Sequence, residues 1–425
     1  MIAKPNQAGA TVHYGWYIVA AGTLCIFSCL GLGRFSLGML LPSMGKALHL
    51  SYTQMGLIST SNFVGYLAGV LISSRLLKAF GARRLIGASL LLVGLSMISV
   101  GLTSRLSVLV LFYMATGIGS ALANVPIMAL VSVWFTSRKR GRAAGFIVIG
   151  SGPAIVLSGW LVPLLNGMYT DGWRINWFVL GSVVTLAATV CFLIIRNSPQ
   201  EMGLEPIDSV QNQPDSHNGT PFREVTLRSP VVLHCAAIYF LFGFTYVIYV
   251  TFIVTALVRE KGFPESIAGH FWSWVGLLSL LSGPVFGTFS DRFGRKAALI
   301  TVFTIQAVAY LFMALDLPEI FLYLSIGCFG IVAWSIPSIM AALMGDFAGH
   351  QRVAAVFGFV TFIFGLGQIT GPYLAGVLAQ ATGRFSGSFL MASGMAVLAV
   401  VLSSLLPGTS TGKPSGKAKR HSIDT

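Results

Sequence analysis

Runs of about 20 apolar residues recur along almost the whole chain, and each is long enough to cross the hydrocarbon core of a membrane as a helix. Of the 425 residues, 55% are hydrophobic and only 9% are charged. Soluble domains carry about 25% charged residues, so a water-soluble fold is excluded. The runs predict an all-α membrane protein with twelve transmembrane helices, at residues 15–43, 54–77, 84–103, 106–133, 142–166, 173–195, 231–258, 267–290, 297–315, 319–343, 353–379 and 386–406.

The basic residues are distributed unevenly between the two sides that twelve spans would create. Of the 27 Lys and Arg residues, twenty fall on the side that holds both termini and six on the opposite side, with Arg34 inside a span. An excess of Lys and Arg marks cytoplasmic loops. We therefore expect both termini in the cytoplasm. The net charge of +14 is explained by membrane topology and does not indicate nucleic-acid binding.

One long polar segment divides the chain. Residues 196–230 are rich in Pro, Asn and Ser, which is typical of a linker. We expect an N-terminal six-helix bundle at residues 1–195 and a C-terminal six-helix bundle at 231–406. A basic cytoplasmic tail at 407–425 would follow.

The two halves repeat a loop motif. "SRLLKAFGARR" follows span two and "GTFSDRFGRKAAL" follows span eight, and aligning Phe80 with Phe293 gives an offset of 213 residues, about half of the chain. A parallel repeat of two pseudo-symmetric bundles, with a binding site between them near the membrane midplane, is a transporter architecture.

The second loop resembles the cytoplasmic loop motif of the major facilitator superfamily. The resemblance implies a latch that holds one conformation, in which an Asp caps a helix of the partner bundle and basic residues pin neighbouring helix ends. Both interactions are electrostatically sound. The residues expected to form the latch are Gly287, Asp291, Arg292, Gly294, Arg295 and Lys296. In the first half Lys78 stands where Asp291 aligns, so we expect the latch to be asymmetric.

Four further segments resemble particular branches of this superfamily. "YGWYIVAAG" and "VSVWFTSRKRGRAAGFIVIGSG" are similar to the monocarboxylate and oxalate–formate transporters. "GRFSLGMLLP" and "FGFTYVIYVTF" are similar to the bacterial YbfB/YjiJ-like group. The resemblance implies a multi-pass protein of the bacterial inner membrane that carries a small organic anion, with a monocarboxylate favoured.

Arg34 is the charged residue that the membrane interior tolerates least. It lies 18 residues after Trp16 and eight before Pro42, about 27 Å and about 12 Å along an ideal helix. Burying an Arg at this depth costs about 2.5–3.5 kcal/mol on insertion scales. The sequence places no acidic residue deep in a span to pair with it. Three roles stay open: binding an anionic substrate through the planar guanidinium, bonding carbonyl groups or forming a gate, and extending to the outer interface.

Other polar residues in the predicted spans are candidates for the same cavity. Each either lines the cavity or bonds and packs between helices, because buried polar groups need partners. The candidate substrate-binding residues beside Arg34 are Asn62, Tyr66, Asn124, Tyr246, Tyr249 and Gln368. Protons stay open as a coupling ion, with His49 and His270 near span ends as candidate carriers.

The sequence contains no motif for enzyme chemistry. A Walker loop, a metal-ligand spacing and a nucleophile elbow are all missing, so we expect neither an enzyme nor a cofactor. The leading hypothesis is a monomeric secondary transporter that moves a small organic anion by alternating access. Two alternatives remain: an exporter of drugs or sugars, and a membrane receptor or scaffold that does not transport.

Overall fold

The computed structural model describes residues 13–207 and 227–407, and these residues form helices with no strand among them. Eleven continuous helices are long and apolar enough to cross a membrane, and the second of them, Tyr52–Leu102, breaks at Gly81 into α2 (52–80) and α3 (82–102). The prediction of twelve crossing segments is therefore confirmed. The others are α1 Gly15–Ala47, α4 Leu106–Trp134, α5 Lys139–Met168, α6 Gly172–Ile194, α7 Pro230–Arg259, α8 Glu265–Phe293, α9 Arg295–Ala314, α10 Ile320–Ala348, α11 Ala355–Thr382 and α12 Ser386–Ser404.

The two repeated loops have the same backbone conformation. Gly81 between α2 and α3 has φ 74° and ψ 161°, and Gly294 between α8 and α9 has φ 92° and ψ 154°. A side chain disfavours this region, so glycine lets each chain reverse without a longer loop. The offset of 213 residues found in the sequence therefore relates two equivalent turns.

The described part of the predicted linker packs against the N-terminal bundle. A short 3-10 turn covers Pro199–Met202, and Ile207 forms an isolated β-bridge with Phe135 after α4. Residues 208–226 of the predicted linker and 408–425 of the predicted tail lie outside the described residues.

Helices of the two bundles touch closely at the end of the molecule that carries the α1–α2 and α7–α8 connections, called here the closed end. A Cβ added to Gly56 on α2 would lie 2.4 Å from the Pro372 carbonyl oxygen on α11. A Cβ added to Gly269 on α8 would lie 2.2 Å from the Gly159 carbonyl oxygen on α5. Adding 213 to 56 and to 159 gives 269 and 372. The two contacts are therefore equivalent under the repeat, and each requires a glycine.

The α5–α8 pair has no such contact at the opposite end, which carries the Gly81 and Gly294 turns and is called here the loop end. A Cβ added to Gly145 on α5 or to Gly287 on α8 would meet no heavy atom within 4 Å. Phe146 on α5 and Phe293 on α8 are exposed. The structure thus brings the bundles together at the closed end and leaves α5 and α8 apart at the loop end.

Candidate functional site

An irregular stretch of α1 positions Arg34. Residues Phe27–Phe35 form a π-helix, a rare conformation that is frequently found at functional sites. Gly31 and Gly33 lie within it, where a Cβ would come 2.2 Å from the Ala154 side chain and 3.1 Å from the Val93 side chain. The glycines let α1 lie close to α3 and α5. Arg34 follows them near the end of the π-helical stretch and is only 9% exposed.

The guanidinium of Arg34 is incompletely satisfied. Its Nε donates to Asn62 Oδ1 on α2 at 3.3 Å, while Nη2 is buried and has no hydrogen-bond partner in the described part of the chain. None of the ion pairs found among the described residues involves Arg34. A buried donor without a partner costs free energy, and the cost is larger when the group is charged. The site therefore holds a positive charge that none of the described residues neutralises.

Two aromatic rings of α2 support the guanidinium. Arg34 Cζ lies 4.2 Å from the ring centroid of Tyr66 and 4.8 Å from that of Phe63. Such cation–π contacts stabilise a cation by about 0.5–2 kcal/mol each. The Tyr66 hydroxyl accepts a hydrogen bond from Asn124 Nδ2 at 2.7 Å, which fixes the ring from α4. These contacts orient the guanidinium and leave its Nη2 donors free for an anion.

The C-terminal bundle adds polar and aromatic groups on the other side of Arg34. The Tyr246 hydroxyl on α7 interacts electrostatically with Arg34 and accepts a hydrogen bond from Gln368 Nε2 on α11. Trp334 on α10 packs against Tyr246 and Phe35, with ring centroids 5.8 Å and 5.0 Å apart. Arg34 thus lies where the two bundles meet, and groups from both reach it.

A small cavity of about 10 Å³ adjoins Arg34 on the side of the closed end. Its polar lining consists of Arg34, Asn62, Tyr113, Ser59 and Thr251. Ser59 on α2 and Thr251 on α7 are hydrogen-bonded at 3.0 Å, so this contact joins the two bundles. The sequence reasoning missed both hydroxyls. Ser59 could have been found, because it lies three residues before Asn62 and therefore on the same helix face.

The structure brings together all but one of the residues predicted to bind substrate, namely Arg34, Asn62, Tyr66, Asn124, Tyr246 and Gln368. It places Tyr249 elsewhere: its hydroxyl is hydrogen-bonded to Ser325 at 2.8 Å and its ring stacks on Phe329, inside the C-terminal bundle. His49 and His270 are exposed near the closed end, away from Arg34. No cluster of three metal-ligating residues occurs within residues 13–207 and 227–407.

The residues of the predicted latch contact their own bundle. Asp291 near the end of α8 pairs with Arg295 at the start of α9, and Arg295 Nε also lies 3.2 Å from Asp346 on α10. Lys296 Nζ donates to a carbonyl oxygen after α12, at Leu406, at 3.1 Å. Arg292 lies over the ring of Phe293. The Asp291 side chain is 69% exposed, so the helix cap expected on the partner bundle is not made while the loop end is open. The latch stays a prediction for the alternative conformation.

Comparison with known proteins places the chain among membrane transporters. The family model described as "Uncharacterised MFS-type transporter YbfB" matches residues 26–404. The hexuronate transporter of Bacillus subtilis (strain 168) is 26% identical over 419 residues, covering 92% of this chain and 94% of that protein. Monocarboxylate transporter 2 of Homo sapiens is 23% identical over 430 residues, covering 93% and 87%.

Among solved structures, a bacterial homologue of the human lysosomal transporter Spinster, in an inward-facing and occupied conformation, superposes with a TM-score of 0.71. The match covers 93% of this chain and 97% of that chain, at 16% identity, and so concerns the fold. The family match spans both bundles and the Arg34 site. The chain is therefore a multi-pass membrane transporter of the major facilitator superfamily and belongs to its YbfB-type family.

Proposed function

We propose that this protein transports a small organic anion, with a monocarboxylate as the favoured class, by alternating access. The observation that carries the proposal is the buried Arg34: within residues 13–207 and 227–407 no acidic residue pairs with it, and its Nη2 has no hydrogen-bond partner there. An Arg fork donates two parallel hydrogen bonds to a carboxylate and stays charged at every physiological pH. The substrate would supply the missing counter-charge.

The valence of the anion follows from the charges around the site. Arg34 is the cation in this group, and its other neighbours are amides, hydroxyls and aromatic rings. One fixed positive charge balances one carboxylate, whereas a second buried negative charge would be left unpaired at a large cost. A cationic drug would meet repulsion from Arg34. These electrostatics favour a monovalent anion over the cationic substrates of an exporter.

The compared relatives are compatible with this substrate class. The names of two of them, a hexuronate transporter and a monocarboxylate transporter, describe carriers of carboxylates. Sequence identities of 26% and 23% leave the individual substrate open. The site and the relatives therefore support an anion carrier together, with the chemistry of Arg34 as the stronger argument.

The asymmetric contact between the bundles supports alternating access. Glycine contacts hold α2 on α11 and α5 on α8 at the closed end, whereas α5 and α8 diverge at the loop end. With both termini in the cytoplasm, as the charge distribution predicts, this conformation is open to the inside of the cell. A green fluorescent protein fused after Thr425 should fluoresce in bacterial cells. Loss of fluorescence in a stable, membrane-inserted fusion would contradict the proposed topology.

Coupling to protons is a separate element of the proposal. Among the residues that the structure describes, no carboxylate pairs with Arg34, so a proton would have to be carried by another group or by the substrate. Uptake of a radiolabelled carboxylate into proteoliposomes, measured with and without an imposed pH gradient, decides this point. Acceleration by an inward proton gradient supports symport, and an unchanged rate contradicts it.

The anion proposal is tested by ligand-induced thermal stabilisation of the purified protein. The panel pairs each small carboxylate with its uncharged amide and adds neutral sugars and cationic drugs. We expect stabilisation by at least one carboxylate and none by the matching amide. Stabilisation by drugs or sugars without any response to carboxylates would overturn the proposal and favour the exporter.

A further inference from the structure

We propose that the Ser59–Thr251 hydroxyl pair forms a subsite for a hydroxyl group of the substrate, so that the transported anion is a 2-hydroxycarboxylate. This inference rests on the proposed function, because it takes Arg34 as the contact for the carboxylate. Both hydroxyls are buried, with 3% and 5% exposure, and both line the small cavity that Arg34 also lines. Neither was identified from the sequence.

The hydrogen-bonding capacity of the pair is only partly used. A hydroxyl offers one proton and two lone pairs. The bond between Ser59 and Thr251 uses one proton and one lone pair, and no other hydrogen bond from either hydroxyl occurs within the described residues. One proton and several lone pairs are therefore available to a group placed in the cavity. A substrate hydroxyl, which both donates and accepts, matches this pattern.

The size and position of the cavity suit a hydroxyl on the carbon next to a carboxylate. A volume of about 10 Å³ is close to the smallest space that admits one water, which matches the size of a single hydroxyl. Ser59 lies three residues before Asn62, about 4.5 Å along the helix axis. Asn62 in turn contacts Arg34 Nε at 3.3 Å. A carboxylate on Arg34 would thus place its 2-hydroxyl towards the pair.

The repeat relates this hydroxyl pair to a contact of different chemistry. The offset of 213 residues relates Ser59 to Trp272 and Gly38 to Thr251. At the related position the indole of Trp272 fills the gap, since a Cβ added to Gly38 would lie 3.5 Å from its ring. The Trp272 Nε1 is bonded to Ser158 at 3.2 Å. One contact of the repeat thus packs a bulky indole against a glycine. The related contact, beside Arg34, has two small hydroxyl side chains, which leave polar space.

The test measures binding of matched acids by isothermal titration calorimetry to the full-length protein in detergent. The pairs are glycolate with acetate, lactate with propionate, and 2-hydroxybutyrate with butyrate. One additional hydrogen bond strengthens binding by about tenfold, so the wild type should bind the hydroxy acid of a pair about ten times more tightly. Thr251→Val and Ser59→Ala should each reduce this preference to about twofold or less and leave the affinity for the deoxy acid nearly unchanged.

Thr255→Val is the matched control. Thr255 lies one turn further along α7, is fully buried and has no hydrogen-bond partner among the described residues, yet it does not line the cavity. Its replacement should keep the tenfold preference. Equal binding of both acids by the wild type would overturn the hydroxyl subsite and leave the carboxylate proposal standing. A preference that survives in both Thr251→Val and Ser59→Ala would overturn it as well. Binding of neither acid would overturn the proposed function and the subsite together.

Discussion

Replacement of Arg34 by Lys separates the charge of this residue from its geometry. Arg34 contacts Asn62 through Nε and keeps Nη2 without a partner. A Lys ammonium would have to serve Asn62 and the substrate from one nitrogen, so one charge-assisted hydrogen bond to the carboxylate is lost. Such a bond contributes about 1.5–3 kcal/mol. We therefore expect Arg34→Lys to raise the Kd for the best carboxylate by about 10- to 150-fold.

Arg34→Met removes the charge as well and should abolish detectable carboxylate binding. The unliganded protein should nevertheless stay folded. Removing a buried Arg recovers about 2.5–3.5 kcal/mol of insertion cost. The gain is offset by the loss of two cation–π contacts, about 0.5–2 kcal/mol each, and by an unsatisfied Asn62 oxygen, about 1–3 kcal/mol. From the middle of each range, the free energy of unfolding should fall by about 1.5 kcal/mol relative to the wild type.

Isothermal titration calorimetry with the wild type, Arg34→Lys and Arg34→Met measures these affinities. Arg174→Lys is the control, because Arg174 bonds the Gly101 and Thr103 carbonyl oxygens at the closed end and should leave the Kd unchanged. A Kd for Arg34→Lys within twofold of the wild type, or wild-type affinity in a folded Arg34→Met protein, would contradict the contact between Arg34 and the carboxylate.

Three further predictions follow from particular contacts. Tyr246→Phe should weaken carboxylate binding by about five- to tenfold, whereas Tyr249→Phe should not change it. The reason is that the Tyr246 hydroxyl interacts with Arg34, while the Tyr249 hydroxyl is bonded to Ser325. Calorimetry on the two variants checks this, and equal effects on the Kd would contradict it. Gly38→Val should prevent the closed end from closing, because even its Cβ would fall 2.3 Å from the Val250 carbonyl oxygen; spin labels on α1 and α7 at that end should report longer distances, and an unchanged distribution would argue against the contact. Burial raises the pKa of Glu260, which lies just after α7. The folded protein therefore binds the Glu260 proton more tightly than the unfolded chain does. The contribution of this group to the free energy of unfolding consequently falls as pH rises above the ordinary Glu range. Glu260→Gln should therefore improve the melting temperature relative to the wild type more at pH 8 than at pH 4.5, and the opposite trend would show that the sign is wrong.

The fold was predictable because the membrane imposes strict physical requirements. A crossing helix needs about 20 apolar residues, and this requirement predicted every span to within several residues. The repeat was also visible, since Phe80-Gly81 and Phe293-Gly294 mark the same turn. The neighbours of Arg34 were predictable for a related reason: amides and hydroxyls inside a membrane need partners, so Asn62, Tyr66 and Gln368 were conspicuous.

Helical periodicity could not separate Tyr246 from Tyr249. The two residues are three positions apart and so differ by only about 60° around the helix. On most helices an exposed face would show which of them is central, but α7 is buried almost all round, and every residue from Leu241 to Leu257 is buried. Its sequence therefore carries no polar stripe that identifies the face towards Arg34.

Three other features depend on tertiary geometry. The π-helical stretch at Phe27–Phe35 has no sequence signal beyond its glycines. Ser59 and Thr251 were inconspicuous because small hydroxyl residues are frequent between membrane helices. The latch differs for another reason, namely that Asp291 is expected to contact the partner bundle only in a conformation in which the loop end is closed. One conformation shows only its contacts within the C-terminal bundle.

The central claim is that Arg34 holds the transported anion, and transport itself tests it most directly. The experiment is counterflow of a radiolabelled carboxylate into proteoliposomes preloaded with the same unlabelled acid, using the wild type and Arg34→Met reconstituted at equal density. We predict saturable uptake by the wild type, competition by other small carboxylates but not by their amides, and no uptake by Arg34→Met above empty liposomes. Undiminished carboxylate uptake by Arg34→Met would contradict the account.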